Sequence, residues 1–251
     1  MERKVKFALL QYIPNNDRDE RINVAVVLHS PQDEFLETKL INNIKRVKEF
    51  DDEIDTAFIK QYLKSIQEEF TYNIANSNIL INDFLLLNEM TKFYVNQFVF
   101  KLYESVIDIS CNDYLEEIRK QFLYFDIEKR KRPSTKDSLD FFTKILKSKN
   151  INYELINAKN SLIGDYNENI NVEIKLRDTY YKFINFTDSN VDTYMSIIKM
   201  WLFNAIELKE LNKRLVFVVN GDMANEKVSM FIKMLKKYGE VIGLEDVNNI
   251  K

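Results

Sequence analysis

Glycine is nearly absent from this chain, with four in 251 residues, and proline (three), cysteine, histidine and tryptophan (one each) are scarcer still. Gly164, Gly221, Gly239 and Gly243 fall in no strand-to-helix pattern that cradles phosphate, so Walker-type and dinucleotide-type loops are excluded. One histidine, His29, and one cysteine, Cys111, exclude zinc clusters, multi-histidine metal sites and an intramolecular disulfide. What survives is chemistry run by carboxylates, lysine or hydroxyls. The lone cysteine fits a reducing cytoplasm, and Met1 to Lys6 is charged with no long apolar run behind it. A cytoplasmic protein with no signal peptide and no membrane contact is therefore expected. No basic excess exists either: 36 cations face 39 anions, for a net charge of -3, so the electrostatic footprint of a dedicated nucleic-acid binder is missing from the whole.

Hydrophobic residues make up 45% and aromatic residues 13% of the chain, enough to bury a sizeable core. Val5 to Tyr12 and Ile22 to His29 read as strands around the polar turn Pro14 to Glu20, where Asn and Asp must do the work of glycine. Glu34 to Ile41 adds a third strand. The four-residue spacing of Ile54, Phe58, Tyr62, Ile66 and Phe70 predicts an amphipathic helix behind an acidic Asp51 to Asp55 start. Residues 73 to 90 show no clear period. A partly alternating strand is expected at Phe98 to Tyr103, then a helix capped by Asn112. The basic run Lys129-Arg130-Lys131-Arg132 before Pro133 marks a boundary between residues 1–132 and 133–251.

Beyond it, Ser134 or Thr135 caps a helix, and strands are expected at 153–157, 161–165, 170–176 and 180–186. A long helix from Val191 to Leu211, a strand Arg214 to Asn220, a helix closed by Gly239 and a strand Glu240 to Leu244 follow. The fold class is α+β: an N-terminal antiparallel sheet with helices, and a C-terminal mixed sheet in α-β-β-β-α-β-α-β order.

Gly164-Asp165 followed by Glu173-Ile174-Lys175, within that order, resembles the signature of the PD-(D/E)xK nucleases. The resemblance implies a Mg²⁺-dependent nuclease acting on DNA or RNA, with Asp165 and Glu173 holding the cation and Lys175 orienting water. Glu154 is a substitute carboxylate. On a strand, Glu173 and Lys175 share one face, but the same alternation is what a strand with one wet face produces. His29 at a strand end lacks the partners of a nucleophilic triad, and the acidic neighbours Asp108 and Asp113 disfavour a Cys111 thiolate.

At the N-terminus, Gln11-Tyr12-Ile13-Pro14, then Arg18, Glu20 and Arg21, then Asn23-Val24-Ala25-Val26-Val27-Leu28, resemble the opening of the bacterial domain-of-unknown-function 3037 family. Ala25 stands where that pattern more often has glycine. The resemblance implies a non-catalytic interaction or regulatory protein of a bacterial or phage conflict system (toxin, kinase or defence), with a protein partner and no cofactor. From the residues alone, Arg18, Glu20, Arg21 and Asn23 either rigidify the turn or form a recognition surface. Lys129, Arg130, Lys131 and Arg132 form either a solvated linker or, joined by Lys136, Lys144 and Lys147, a nucleic-acid patch.

Overall fold

Two apolar strands, β1 (Arg3–Tyr12) and β2 (Ile22–Ser30), pair antiparallel at the centre of the first sheet, with Lys6 opposite His29 and Leu10 opposite Ala25. The structure is a computed structural model that describes residues 2–15, 20–71, 81–128, 132–157, 160–164, 167–186, 191–221 and 226–250. Adding β3 (Phe35–Leu40) and β4 (Phe98–Ile107) gives the order β3-β2-β1-β4, antiparallel throughout. Both central strands are apolar on successive residues because both faces of the sheet are covered. On one face Ala8, Leu10 and Val27 pack with Ile59, Leu63 and Ile66 of α2 (Thr56–Glu69). On the other, Phe7 stacks on Tyr103 at 4.7 Å and meets Tyr114 of α4 (Cys111–Phe122) edge-on, a geometry worth about 0.5–1.5 kcal/mol beyond area burial.

Two helices in this unit were not expected from the sequence: α1 (Ile44–Phe50), and α3 (Leu86–Thr91) within the stretch that showed no period. The acidic stretch before α2 is a turn, and its last member, Asp55, caps the helix by accepting from the Ala57 and Phe58 N–H groups. The cap of α4 is Ser110, not Asn112, because its Oγ reaches the Asp113 N–H while Asn112 already lies inside the first turn.

The chain divides into two compact units, residues 1–132 and 133–251. The second opens with α5 (Thr135–Ser148), fixed by a reciprocal capping box between Ser134 and Asp137. Its strands are β5 (Glu154–Leu155), β6 (Leu162–Ile163), β7 (Asn169–Ile170), β8 (Ile174–Leu176) and β9 (Thr179–Asn185). Then follow α6 (Val191–Glu210), β10 (Arg214–Asn220), α7 (Glu226–Leu235) and β11 (Glu240–Gly243). The sheet runs β11-β10-β9-β8-β5, with β9, β10 and β11 parallel and β8 and β5 antiparallel to their neighbours, the mixed sheet expected. Trp201 of α6 meets Phe217 of β10 edge-on in the core.

The expected strand at 170–176 is broken in two. Asn171 and Val172 fall between the two ladders, so β6 and β7 form a hairpin of their own, and from Glu173, whose N–H donates to the Tyr181 carbonyl, the chain joins the main sheet as β8. The glycines also behave differently from expectation: none has a positive φ. Gly239 follows α7 because a side chain there would collide with the Phe217 ring, at 2.8 Å from a Cβ, not because a left-handed residue is needed. Left-handed turns fall instead to Glu34, Asn150, Asn167, Arg177 and Asn212, a conformation that costs a non-glycine residue about 1–2 kcal/mol and asparagine less.

Candidate functional site

The described members of the nuclease-like constellation lie on β5 and at β8, each with its own partners. Glu173, at the entry to β8, lies across the sheet from Lys182 of β9, and Lys182 Nζ donates to its Oε1 at 2.6 Å. The other oxygen accepts the Phe183 N–H at 2.9 Å. Lys182 also donates to the Asn171 carbonyl at 2.9 Å and sits 4.8 Å from the centre of the Trp201 ring. The lysine on Glu173 is therefore Lys182, and Lys175 lies over the Tyr180 ring at 5.6 Å. Glu154 is the strand neighbour of Lys175, with its Oε1 accepting from Asn160 Nδ2 at 2.8 Å. Asp165 lies outside the described residues. Among the described residues no three His, Cys, Asp or Glu side chains are grouped to hold a metal ion. Lys182 was missed because a Tyr-x-Lys strand carries no acidic partner in sequence, and only the register supplies it.

One acidic approach was also invisible in the sequence. Glu168 and Glu207 both bring a carboxylate oxygen against the Cα of Gly164, close enough that any side chain at 164 would strike them. A Cβ there would displace the ends of both side chains, and Glu207 is almost wholly buried in α6.

In the first unit, Asn23 accepts from Gln11 Nε2 at 2.9 Å and donates to the Phe122 carbonyl at 3.2 Å, spanning the point where the β1–β2 register shifts. It joins the strand pair to the end of α4. Arg21 donates to Gln11 Oε1 at 3.5 Å, Glu20 is exposed, and Arg18 lies outside the described residues. Of the basic run, Lys129, Arg130 and Lys131 lie outside the described residues as well. Arg132 turns back, donating to the Ile127 carbonyl and covering the Tyr124 ring at 4.7 Å.

A second polar centre gathers around Asp33. It accepts from Arg3 and Ser30 at 2.6 Å each and from the Cys111 thiol at 3.1 Å, while Arg3 also donates to the Ile109 carbonyl. Burial pushes the Asp33 carboxyl up, but these three donors outweigh it and hold it below the usual range. The Cys111 thiol is pushed up to about 11, first by burial and then by Asp33, which suits a protonated donor and not a nucleophile. His29 stands one residue from the end of β2 and is fully buried. Its Nε2 lies 2.7 Å from the Ile81 carbonyl, and burial lowers its pKa despite that carbonyl.

Residues 7–92 match the family model described as Protein of unknown function (DUF3037). The matched segment contains β1 from Phe7 onward, β2, β3 and the helices through α3, but not β4 and α4, which complete the unit. No curated protein and no solved structure matches the chain. No helix among the described residues is long and apolar enough to cross a membrane.

Proposed function

We propose that this chain is a non-catalytic interaction or regulatory protein of a bacterial or phage conflict system, and that α6 carries a contact for its protein partner. The supporting observation is a row of apolar side chains on the outer side of that helix. Met200, Phe203 and Ile206 are 53%, 56% and 40% exposed, three residues apart, while Tyr194, Ile198, Trp201, Ala205 and Leu208 face the core. Exposed large side chains grouped in this way cost solubility and mark association surfaces, and an aromatic such as Phe203 supplies the anchoring contact. The partner that fits offers an apolar pocket. The closed state of Glu173 supports the same reading, since its two oxygens already serve Lys182 and a backbone N–H.

The test is affinity capture with the intact chain and with Phe203→Glu, alongside circular dichroism. A stoichiometric partner held by the parent chain and lost from a folded variant supports the reading. Identical capture by both removes α6 as the contact. Cleavage of mixed DNA and RNA with Mg²⁺ or Mn²⁺, abolished in folded Glu173→Ala and Lys175→Ala, would overturn the non-catalytic reading in favour of a Mg²⁺-dependent nuclease.

A further inference from the structure

A cleft of about 530 Å³ opens at the amino-terminal ends of β9, β10 and β11, on the sheet face opposite α6. Its floor is apolar, formed by Leu176, Val216 and Ile242, and the segments after α5 and β11 wall it. That volume suits a small organic molecule, and an apolar floor with a few convergent polar groups is the usual composition of such sites.

Three observations point to the chemistry of the occupant. Tyr181 is only 7% exposed, yet its hydroxyl has no hydrogen-bond partner among the described residues and keeps its access to the cleft. Arg214 is spent on Glu240 at 2.6 Å, whereas Arg177 has no ion pair among the described residues. Arg177 also occupies the tip of the two-residue turn joining β8 to β9 with φ at 52°, a backbone that glycine or asparagine adopts with less strain. A strained arginine beside a cleft is the kind of outlier that ligand sites maintain.

Charge sets the valence. Arg177 and Arg214 stand against Glu240 and Asp246, so the lining has no excess positive charge to hold a polyanion, and with Arg214 committed to Glu240 a single negative charge is what Arg177 can pair. We infer that this cleft binds a small carboxylic acid with an apolar body, its carboxylate held between Arg177 and the Tyr181 hydroxyl. The site shares no residue with the α6 row.

The probe is naphthalene-2-carboxylate, titrated into the intact chain by heteronuclear NMR, with the carboxamide as the uncharged control. Saturable shifts at Thr179 and Tyr181 with a Kd near or below about 1 mM are expected, the carboxamide at least about tenfold weaker. Tyr181→Phe should weaken the carboxylate about three- to tenfold, the loss of one hydrogen bond to a charged acceptor. Arg177→Gly should weaken it about tenfold or more while Tm stays level or rises by about 2–4 °C as strain is released. Equal binding of carboxamide and carboxylate, undiminished binding by Arg177→Gly, or no shift up to 10 mM, on the order of ten times the expected Kd, would each overturn the assignment.

Discussion

Replacing Glu173 with alanine should cost the C-terminal unit far more than replacing Lys175, although the two residues stand together in the sequence signature. Glu173 and Lys182 side chains are 20% and 15% exposed, so their attraction is only lightly screened by water. The alanine variant leaves Lys182 with the Asn171 carbonyl and the Trp201 ring, and leaves the Phe183 N–H unpaired. A hydrogen bond to a charged group contributes about 1.5–3 kcal/mol, and breaking a well-buried pair costs about 3–5, so a half-open pair such as this one should cost about 2–3 kcal/mol. Lys175, whose only described contact is a loose approach to Tyr180, should cost less than about 0.5 kcal/mol. Guanidinium denaturation of the intact chain, followed through the C-terminal unit by Trp201 fluorescence, measures both. Adding Lys182→Met closes a double-mutant cycle, for which a coupling of about 1–2 kcal/mol is expected. A Glu173→Ala loss below about 0.5 kcal/mol, or strict additivity in the cycle, would refute the assignment of Glu173 to Lys182.

Cys111, with its thiol pushed up to about 11, should react with a disulfide reagent at pH 8 many-fold more slowly in the folded chain than in the unfolded one, and rapid stoichiometric labelling of folded protein would contradict the Asp33 contact. Asp33, its carboxyl held below the usual range in the folded state, contributes stability that is present above its unfolded value and lost as pH falls through the folded one. Asp33→Ala should therefore flatten the acid limb of a pH–stability curve for the N-terminal unit. His29 acts in the same direction at higher pH: its depressed folded value means stability declines once pH drops below the ordinary imidazole value, and His29→Phe should remove that portion of the slope. Gly239→Ala, with a Cβ 2.8 Å from the buried Phe217 ring and 3.2 Å from the Leu215 carbonyl, should lower stability by about 1–3 kcal/mol, measurable as a shift in Tm.

The elements that periodicity revealed are those whose burial is decided by one face or one run. The β1 and β2 runs, α2 and the long α6 around Trp201 all have cores that dictate their pattern, although α2 buries Ile59, Leu63 and Ile66 and leaves Phe58 of the expected four-residue spacing exposed. The short pieces were less legible. Nothing in the hydropathy of 170–176 says that the chain leaves one ladder and joins another at Asn171, because a two-residue strand buries too little to leave a period. Caps were legible only as candidates: Ser110 and Asn112 are equally good cap residues, and the turn geometry ahead of α4 chose the serine.

Site residues fail for a related reason, since motif reading pairs neighbours in sequence while sheets pair residues by register. Glu173 and Lys175 stand two apart on one strand, but the antiparallel turn at Arg177 brings Lys182 opposite Glu173, and salt-bridge geometry follows that ladder. The scarcity of glycine has a parallel consequence. With only four available, each described glycine stands where something presses close, as the Phe217 ring does at Gly239 and the Glu207 carboxylate at Gly164. Left-handed turns are then forced on to Asn, Glu and Arg. At Asn150, Asn167 and Asn212 the substitute is the residue that tolerates the conformation best. At Glu34 and Arg177 it is not, and of these two Arg177 is the one standing beside the cleft with its charge uncommitted. Composition alone predicts that glycine will be replaced in turns, but it does not predict a bulky cation at one of them. That excess over what the turn requires is the physical ground for assigning Arg177 a ligand.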